Sequence, residues 1–121
     1  MSEDLKVLIV DDEPINLDIL EEMLEENYQT CIAQSGEEAL NKVESFLPDL
    51  VLLDVMMPGL NGYETCIKLR NNPKLESTNI VMVSAKAGKE DIKKGIQSGA
   101  DEYVIKPFEE DTLLEIIERY V

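Results

Sequence analysis

At 121 residues the chain is long enough to bury one substantial core, and a hydrophobic content of 44% excludes a disordered polymer. Its 26 acidic residues against 11 basic ones give a formal charge of −15. That charge opposes direct binding to nucleic acid and favours cationic partners and divalent metals.

The absence of histidine removes His-liganded zinc, Ser-His-Asp triads and phosphohistidine carriers together. No apolar run approaches the roughly 20 residues of a membrane span. The opening Met1-Ser2-Glu3-Asp4-Leu5-Lys6 is acidic and lacks a secretory core, so no export signal is expected. Cys31 and Cys66 form no CxxC pair. They are expected to be buried or half-buried free thiols, in keeping with a reducing cytoplasm.

Taken in chain order, Leu5–Val10 is a continuous apolar run of the kind that forms a strand buried on both faces of a parallel sheet. Pro14 suits a first helical position, and Ile15, Leu17, Ile19, Leu20, Met23 and Leu24 follow at helical spacing. Tyr28–Ala33 is a shorter strand candidate. Ser35 with Glu38 reads as a capping box that opens a second helix, which Pro48 stops. Leu50–Leu53 is the third strand, and Met56-Met57-Pro58-Gly59-Leu60-Asn61-Gly62 is a loop. Tyr63–Arg70 reads as a helix, Ile80–Val83 as a strand and Lys89–Ser98 as a charged helix ended by Gly99. Glu102–Ile105 and Asp111–Tyr120 close the chain as strand and helix. Five strands alternating with five helices across short connections predict an α/β fold, a parallel sheet covered on both faces. No repeat or linker divides residues 1–121, which read as a single domain.

In open sheets of this kind, ligands bind beyond the carboxyl ends of the strands, near the point where strand order reverses. Asp11 and Asp12 follow the first strand, Asp54 the third, Ser84 the fourth and Lys106 the fifth. Each alone has an ordinary explanation: Asp12 as a helix cap before Pro14, Ser84 as a cap of the next segment, Lys106 as a solvated lysine. Together they converge on one edge. Three crowded carboxylates repel and raise one another's pKa values, and a hard divalent cation relieves that repulsion. Oxygen donors favour Mg²⁺, Mn²⁺ or Ca²⁺ over zinc. Asp54 is then a candidate nucleophile that forms an aspartyl-phosphate. Lys106 offers positive charge to the phosphoryl oxygens, and Ser84 a hydroxyl hydrogen bond. The loop Asp11-Asp12-Glu13-Pro14 has no glycine, so neither a Walker loop nor a dinucleotide turn can form there. The phosphoryl group is expected to come from a partner protein or a small activated phosphate.

These residues resemble the receiver domains of response regulators from two-component signal transduction. The resemblance runs from Lys6 to about Tyr120. It rests on Val10-Asp11-Asp12-Glu13-Pro14, Leu53-Asp54-Val55-Met56-Met57-Pro58-Gly59, Asn61-Gly62, Val83-Ser84-Ala85-Lys86, Gly99-Ala100-Asp101-Glu102-Tyr103 and Ile105-Lys106-Pro107-Phe108. The intervals from Asp54 to Ser84 and from Ser84 to Lys106 also match the family's spacing. The resemblance implies a doubly wound, flavodoxin-like sheet of order 2-1-3-4-5. It implies that Asp12, Asp54 and the main-chain carbonyl of Met56 ligate Mg²⁺ directly, with Asp11 acting through a water. It places Ser84 and Tyr103 at the family's switch positions and makes the Lys106-Pro107 bond cis. Phosphorylated Asp54 would draw Ser84 inward and let Tyr103 turn, changing the surface of the fourth helix, fifth strand and fifth helix. Implied partners are a histidine kinase or histidine phosphotransfer protein and a downstream target or output domain. The kinase side would dock against Pro14, Ile15, Asp18 and Pro107-Phe108, although Ile15 and Phe108 also suit the core. Lys86 and Met56 flank the path of water to the site and would tune the lifetime of the phosphoryl group. The domain is expected to be a cytoplasmic signalling switch rather than an enzyme.

Three other readings compete. An aspartyl-phosphate phosphatase needs a general acid two positions after the nucleophile, where this chain has Met56. A flavin carrier needs a Ser/Thr/Gly-rich phosphate loop where this chain has two aspartates. A receiver fold that never takes phosphate usually loses an acid or the lysine, and every one is retained here.

Overall fold

The apolar runs become strands and the amphipathic segments become helices. In the computed structural model, which describes residues 5–121, the order is β1 (Lys6–Val10), α1 (Pro14–Leu24), β2 (Gln29–Ala33), α2 (Gly36–Phe46) and β3 (Leu50–Leu53). There follow α3 (Gly62–Arg70), a 3₁₀ turn at Pro73–Leu75, β4 (Asn79–Ser84), α4 (Lys89–Ser98), β5 (Glu102–Ile105) and α5 (Glu110–Tyr120). The sheet is parallel throughout, in the order β2-β1-β3-β4-β5. This is the doubly wound α/β architecture expected from the sequence.

Strand alternation divides the core in two, because successive side chains leave opposite faces of a strand. Val7, Ile9, Leu50, Leu52, Val81 and Val83 pack against Leu17, Leu20 and Leu24 of α1 and Leu113 and Ile117 of α5. Leu8, Val10, Val51, Leu53, Ile80 and Met82 face Ala39 and Val43 of α2 and Cys66 and Leu69 of α3. α4 joins this second layer through Gly95, where an added Cβ would lie 2.9 Å from Met82 Sδ. Both faces of the middle strands are therefore dry, which explains why Val7–Val10 of β1 and all of β3 read as unbroken apolar runs and not as alternating ones.

Boundaries depart from the sequence reading by a residue in several places. β1 and β2 begin one residue later than expected, α3 and α5 one earlier, and β4 extends by one at each end to include Ser84. One capping expectation needs correction. Ser35 accepts from Glu38 N (3.0 Å), but the Glu38 carboxylate accepts from Gln34 N and not from Ser35, so that box is half formed. Asp12 does not cap α1. Glu13 stands at that N-cap without a side-chain bond, and Asp11 Oδ1 accepts from Glu13 N (2.9 Å). The complete box lies at α3, where Asn61 and Glu64 satisfy each other's backbone N–H groups (2.9 and 3.0 Å). Cys31 is half-buried and Cys66 buried, both as free thiols.

The strand order reverses between β1, which pairs with β2 on one side, and β3 on the other. Chains that wind outward from such a point leave a crevice at the carboxyl ends of the two central strands. Asp11 N continues the β1 ladder to Ala33 O (3.1 Å), Asp54 N bonds Val10 O (3.0 Å) and Lys106 N bonds Ser84 O (2.8 Å). The polar residues after the strands are thus held in register by the sheet itself.

Candidate functional site

The crevice brings together residues distant in sequence. Asp11, Asp12 and Asp54 each offer a carboxylate oxygen within 4.8 Å of the others. Lys106 Nζ lies 3.1 Å from Asp11 Oδ2 and 3.8 Å from Asp54 Oδ2. Asp11 and Asp54 are buried, whereas Asp12 is half-exposed at the mouth.

Asp11 is fully engaged by its own chain. One oxygen accepts from Glu13 N, and the other from Lys106 Nζ and from Asn16 Nδ2 (3.3 Å). Asp54 is less well satisfied: its Oδ1 receives only a long bond from Met56 N (3.4 Å). Burial pushes its carboxyl above the ordinary carboxylate value. The Lys106 charge opposes that rise, the Asp11 charge adds to it, and the backbone N–H groups of Met56 and Val55 oppose it. One lysine thus faces three clustered acids. A hard divalent cation fits what remains, because the donors are all oxygens and the local charge stays negative after Lys106 is counted.

Ser84 is wholly buried at the end of β4, and its Oγ accepts from Lys86 N (3.2 Å). It belongs to the strand and caps no helix, since α4 starts only after Gly88. Tyr103 on β5 donates its hydroxyl to Lys86 O (2.7 Å), so both residues meet the same turn. Burial raises the Tyr103 phenol, while interaction with the Ser84 and Tyr63 hydroxyls pulls the other way. The Lys106-Pro107 bond is cis. Met56 is 55% exposed and shares with Lys86 the wall of a cavity of about 440 Å³ beside Val55.

The two ambiguous apolar residues separate. Ile15 is 71% exposed and belongs to no core. Phe108 is half-buried, packs on the α1–α5 layer and lines a second cavity of about 450 Å³ with Asn16, Ile19, Leu20, Ala85, Lys106 and Pro107.

Two contacts were not anticipated. Asn16 holds Asp11, and the only signal for it was an amide in the first turn of a helix that follows two aspartates. Gly62 touches the Asp54 backbone: a Cβ there would lie 2.3 Å from Asp54 O and 2.6 Å from Val55 Cα, closer than atoms approach. Glycine lets α3 start directly against the acid-bearing strand.

The chain is 41% identical over 110 residues to the "DNA-binding response regulator MtrA" of Mycolicibacterium smegmatis, covering 90% of this chain but only 47% of that protein. It is 36% identical over 121 residues to "Protein PilG" of Pseudomonas aeruginosa, covering 99% of this chain and 90% of that one. The chain therefore spans about half of one curated relative and nearly all of another. Among solved structures, the chemotaxis protein CheY4 of Vibrio cholerae superposes with a TM-score of 0.91 at 30% identity, covering 97% of this chain and 98% of that one. The sequence model described as "Response regulator receiver domain" matches residues 7–118. With the sheet order, the acid crevice and this match in agreement, the chain belongs to the response regulator receiver domain family of two-component signalling.

Proposed function

We propose that residues 1–121 act as one phosphorylation-dependent switch that accepts a phosphoryl group on Asp54. The observation that carries this reading is the meeting of Asp11, Asp12 and Asp54 within 4.8 Å, with Lys106 at 3.1 and 3.8 Å from two of them. An Asp54 carboxylate oxygen attacks the phosphorus of a phosphohistidine. The new P–O bond forms as the P–N bond breaks, and the electron pair leaves with the imidazole, which takes up a proton. Lys106 supplies positive charge to the phosphoryl oxygens, and Ser84 donates its hydroxyl to one of them. Asp12, Asp54 and the main-chain carbonyl of Met56 would hold Mg²⁺ directly and Asp11 through a water, where the ion neutralises charge on carboxylates and phosphoryl group alike. Mn²⁺ or Ca²⁺ could occupy the same oxygen donors.

Once phosphorylated Asp54 engages Ser84, Tyr103 responds, and the surface of α4, β5 and α5 changes for a downstream target or output domain. The donor is the histidine-bearing helix of a kinase or phosphotransfer protein. It seats against Pro14, Ile15, Asp18, Pro107 and Phe108, where Ile15 and Ile19 stand exposed on one face of α1 beside the 450 Å³ cavity. Lys86 and Met56 tune how readily water reaches the phosphoryl group. The domain assists only its own phosphorylation and dephosphorylation, in the cytoplasm, without binding nucleic acid or membrane. Among the described residues, no helix is long and apolar enough to cross a membrane.

Intact mass after incubation with acetyl phosphate, with and without Mg²⁺, tests the reading. A single Mg²⁺-dependent adduct that Asp54→Asn lacks is the expected result. Absence of any adduct, together with no spectral response to beryllofluoride and Mg²⁺, would favour an interaction module that works without phosphate.

A further inference from the structure

The chemistry of Asp54, Ser84 and Lys106 makes no use of Tyr63, yet this residue is built into the structure with unusual care. It occupies the first turn of α3, next to the Gly62 that abuts the Asp54 backbone. Gly62 N is also tied to Val55 O at 2.8 Å. Any displacement of the Asp54–Val55 peptide is therefore felt at the start of α3.

Only 7% exposed, the Tyr63 side chain runs from that point to another element. Its hydroxyl donates to Asp91 O in the first turn of α4 (3.2 Å). Lys94 Nζ, one turn further along α4, sits 4.7 Å from the ring centroid. The same stretch of α4 meets Tyr103 at Gly95, where a Cβ would lie 2.8 Å from Tyr103 Cδ2. Two tyrosines from different elements thus press on α4 within four residues of each other.

We propose that Tyr63 is a positioning residue that couples the Asp54 strand end to the amino-terminal turn of α4 by a route that does not pass through Ser84. This rests on the phosphoryl-acceptor reading above. A rigid ring anchored at Gly62 and bonded to the Asp91 carbonyl transmits movement of the strand end without passing through Ser84. The observed α4 position would be one of two that the occupied site selects between.

The test compares Tyr63→Phe with the parent chain by amide NMR, using Mg²⁺ and beryllofluoride as the probe. Phenylalanine keeps the ring and its packing and removes only the hydroxyl. In the parent, saturation is expected to shift amides both around Asp54 and along Asp91–Gly95. In Tyr63→Phe the Asp54 amides still shift, but the Asp91–Gly95 shifts fall to less than about half, and these amides exchange with solvent about fivefold faster, as expected for one lost hydrogen bond. Lys94→Met leaves the hydroxyl in place and keeps the α4 response. A thermal midpoint close to the parent's separates loss of coupling from loss of fold. Equal α4 shifts in Tyr63→Phe and the parent overturn the coupling role while leaving the acceptor reading intact. A parent chain that does not respond to the probe anywhere overturns both.

Discussion

Leu47 carries the one left-handed backbone conformation of any non-glycine residue among those described, with φ 50°. It ends α2, and its N–H bonds Val43 O (3.1 Å). For an L-residue this conformation brings Cβ against its own carbonyl and costs roughly 1–2 kcal/mol, which glycine avoids. Pro48 then prevents the helix from resuming. Leu47→Gly is accordingly expected to be about 1 kcal/mol more stable than Leu47→Ala, the reverse of their order inside a helix. Urea unfolding of the pair decides it, and an alanine variant at least as stable as the glycine one would show that the turn carries no such strain. The sequence placed a stop at Pro48 but gave no sign that Leu47 would turn left-handed. That follows from where β3 must begin.

At the scale of elements, the two edges of the sheet divide the work. The carboxyl edge holds the acids, and the amino edge is locked by Arg70. From the last turn of α3, Arg70 donates to Gly99 O after α4 (2.8 Å), to Thr78 O before β4 (2.6 Å) and to the Asp101 carboxylate before β5 (2.6 Å). Asp101 also accepts from Ile80 N (2.8 Å). A guanidinium reaches three acceptors at fixed angles, and a lysine ammonium on a flexible stem does not. Arg70→Ala is expected to cost about 2–3 kcal/mol, since two carbonyls and a carboxylate lose a charged donor. Arg70→Lys should recover less than half of that in chemical denaturation, with acetyl phosphate labelling of Asp54 preserved because the lock lies at the far edge. Full rescue by lysine would show that charge alone matters there.

For the molecule as a whole, all four tyrosines have phenols raised above the ordinary phenol value of 10.0, and burial raises each of them. Burial is the leading cause for Tyr28, Tyr63 and Tyr103, whereas Tyr120 is raised chiefly by its bond to Glu102. Tyr63 is pushed up to about 12, first by burial and then by Tyr103 and Asp91. Raised phenols keep their protons in the native chain after the unfolded chain has released them. The Tyr63 contribution to stability is therefore complete below pH 10 and lost as pH rises from 10 toward about 12, and the other three phenols act in the same direction. Phenolate absorbance should lag behind that of free tyrosine until the chain unfolds, then rise together with loss of helical ellipticity. Gradual titration of all four phenols near pH 10 in a folded protein would contradict the burial described here.

The sequence by itself determined the element order, the parallel sheet, the single-lysine acid crevice and the resemblance to receiver domains. Hydrophobic periods of two and near four residues are local, so helix and strand are written in neighbouring residues. The residues after the strands were legible for the same reason, since a parallel sheet must bring its carboxyl ends to one edge. Only the tertiary structure decided which contacts those residues make. The Lys106–Asp11 pairing, the hold of Asn16 on Asp11, the Arg70 lock and the reach of Tyr63 to α4 join segments that no local pattern relates. Ile15 and Phe108 show the same limit. Their spacing suited both core and surface, and the fold leaves Ile15 exposed and Phe108 half-buried against the core. Long-range contacts depend on how the layers close on the sheet, and that information is spread over the whole chain.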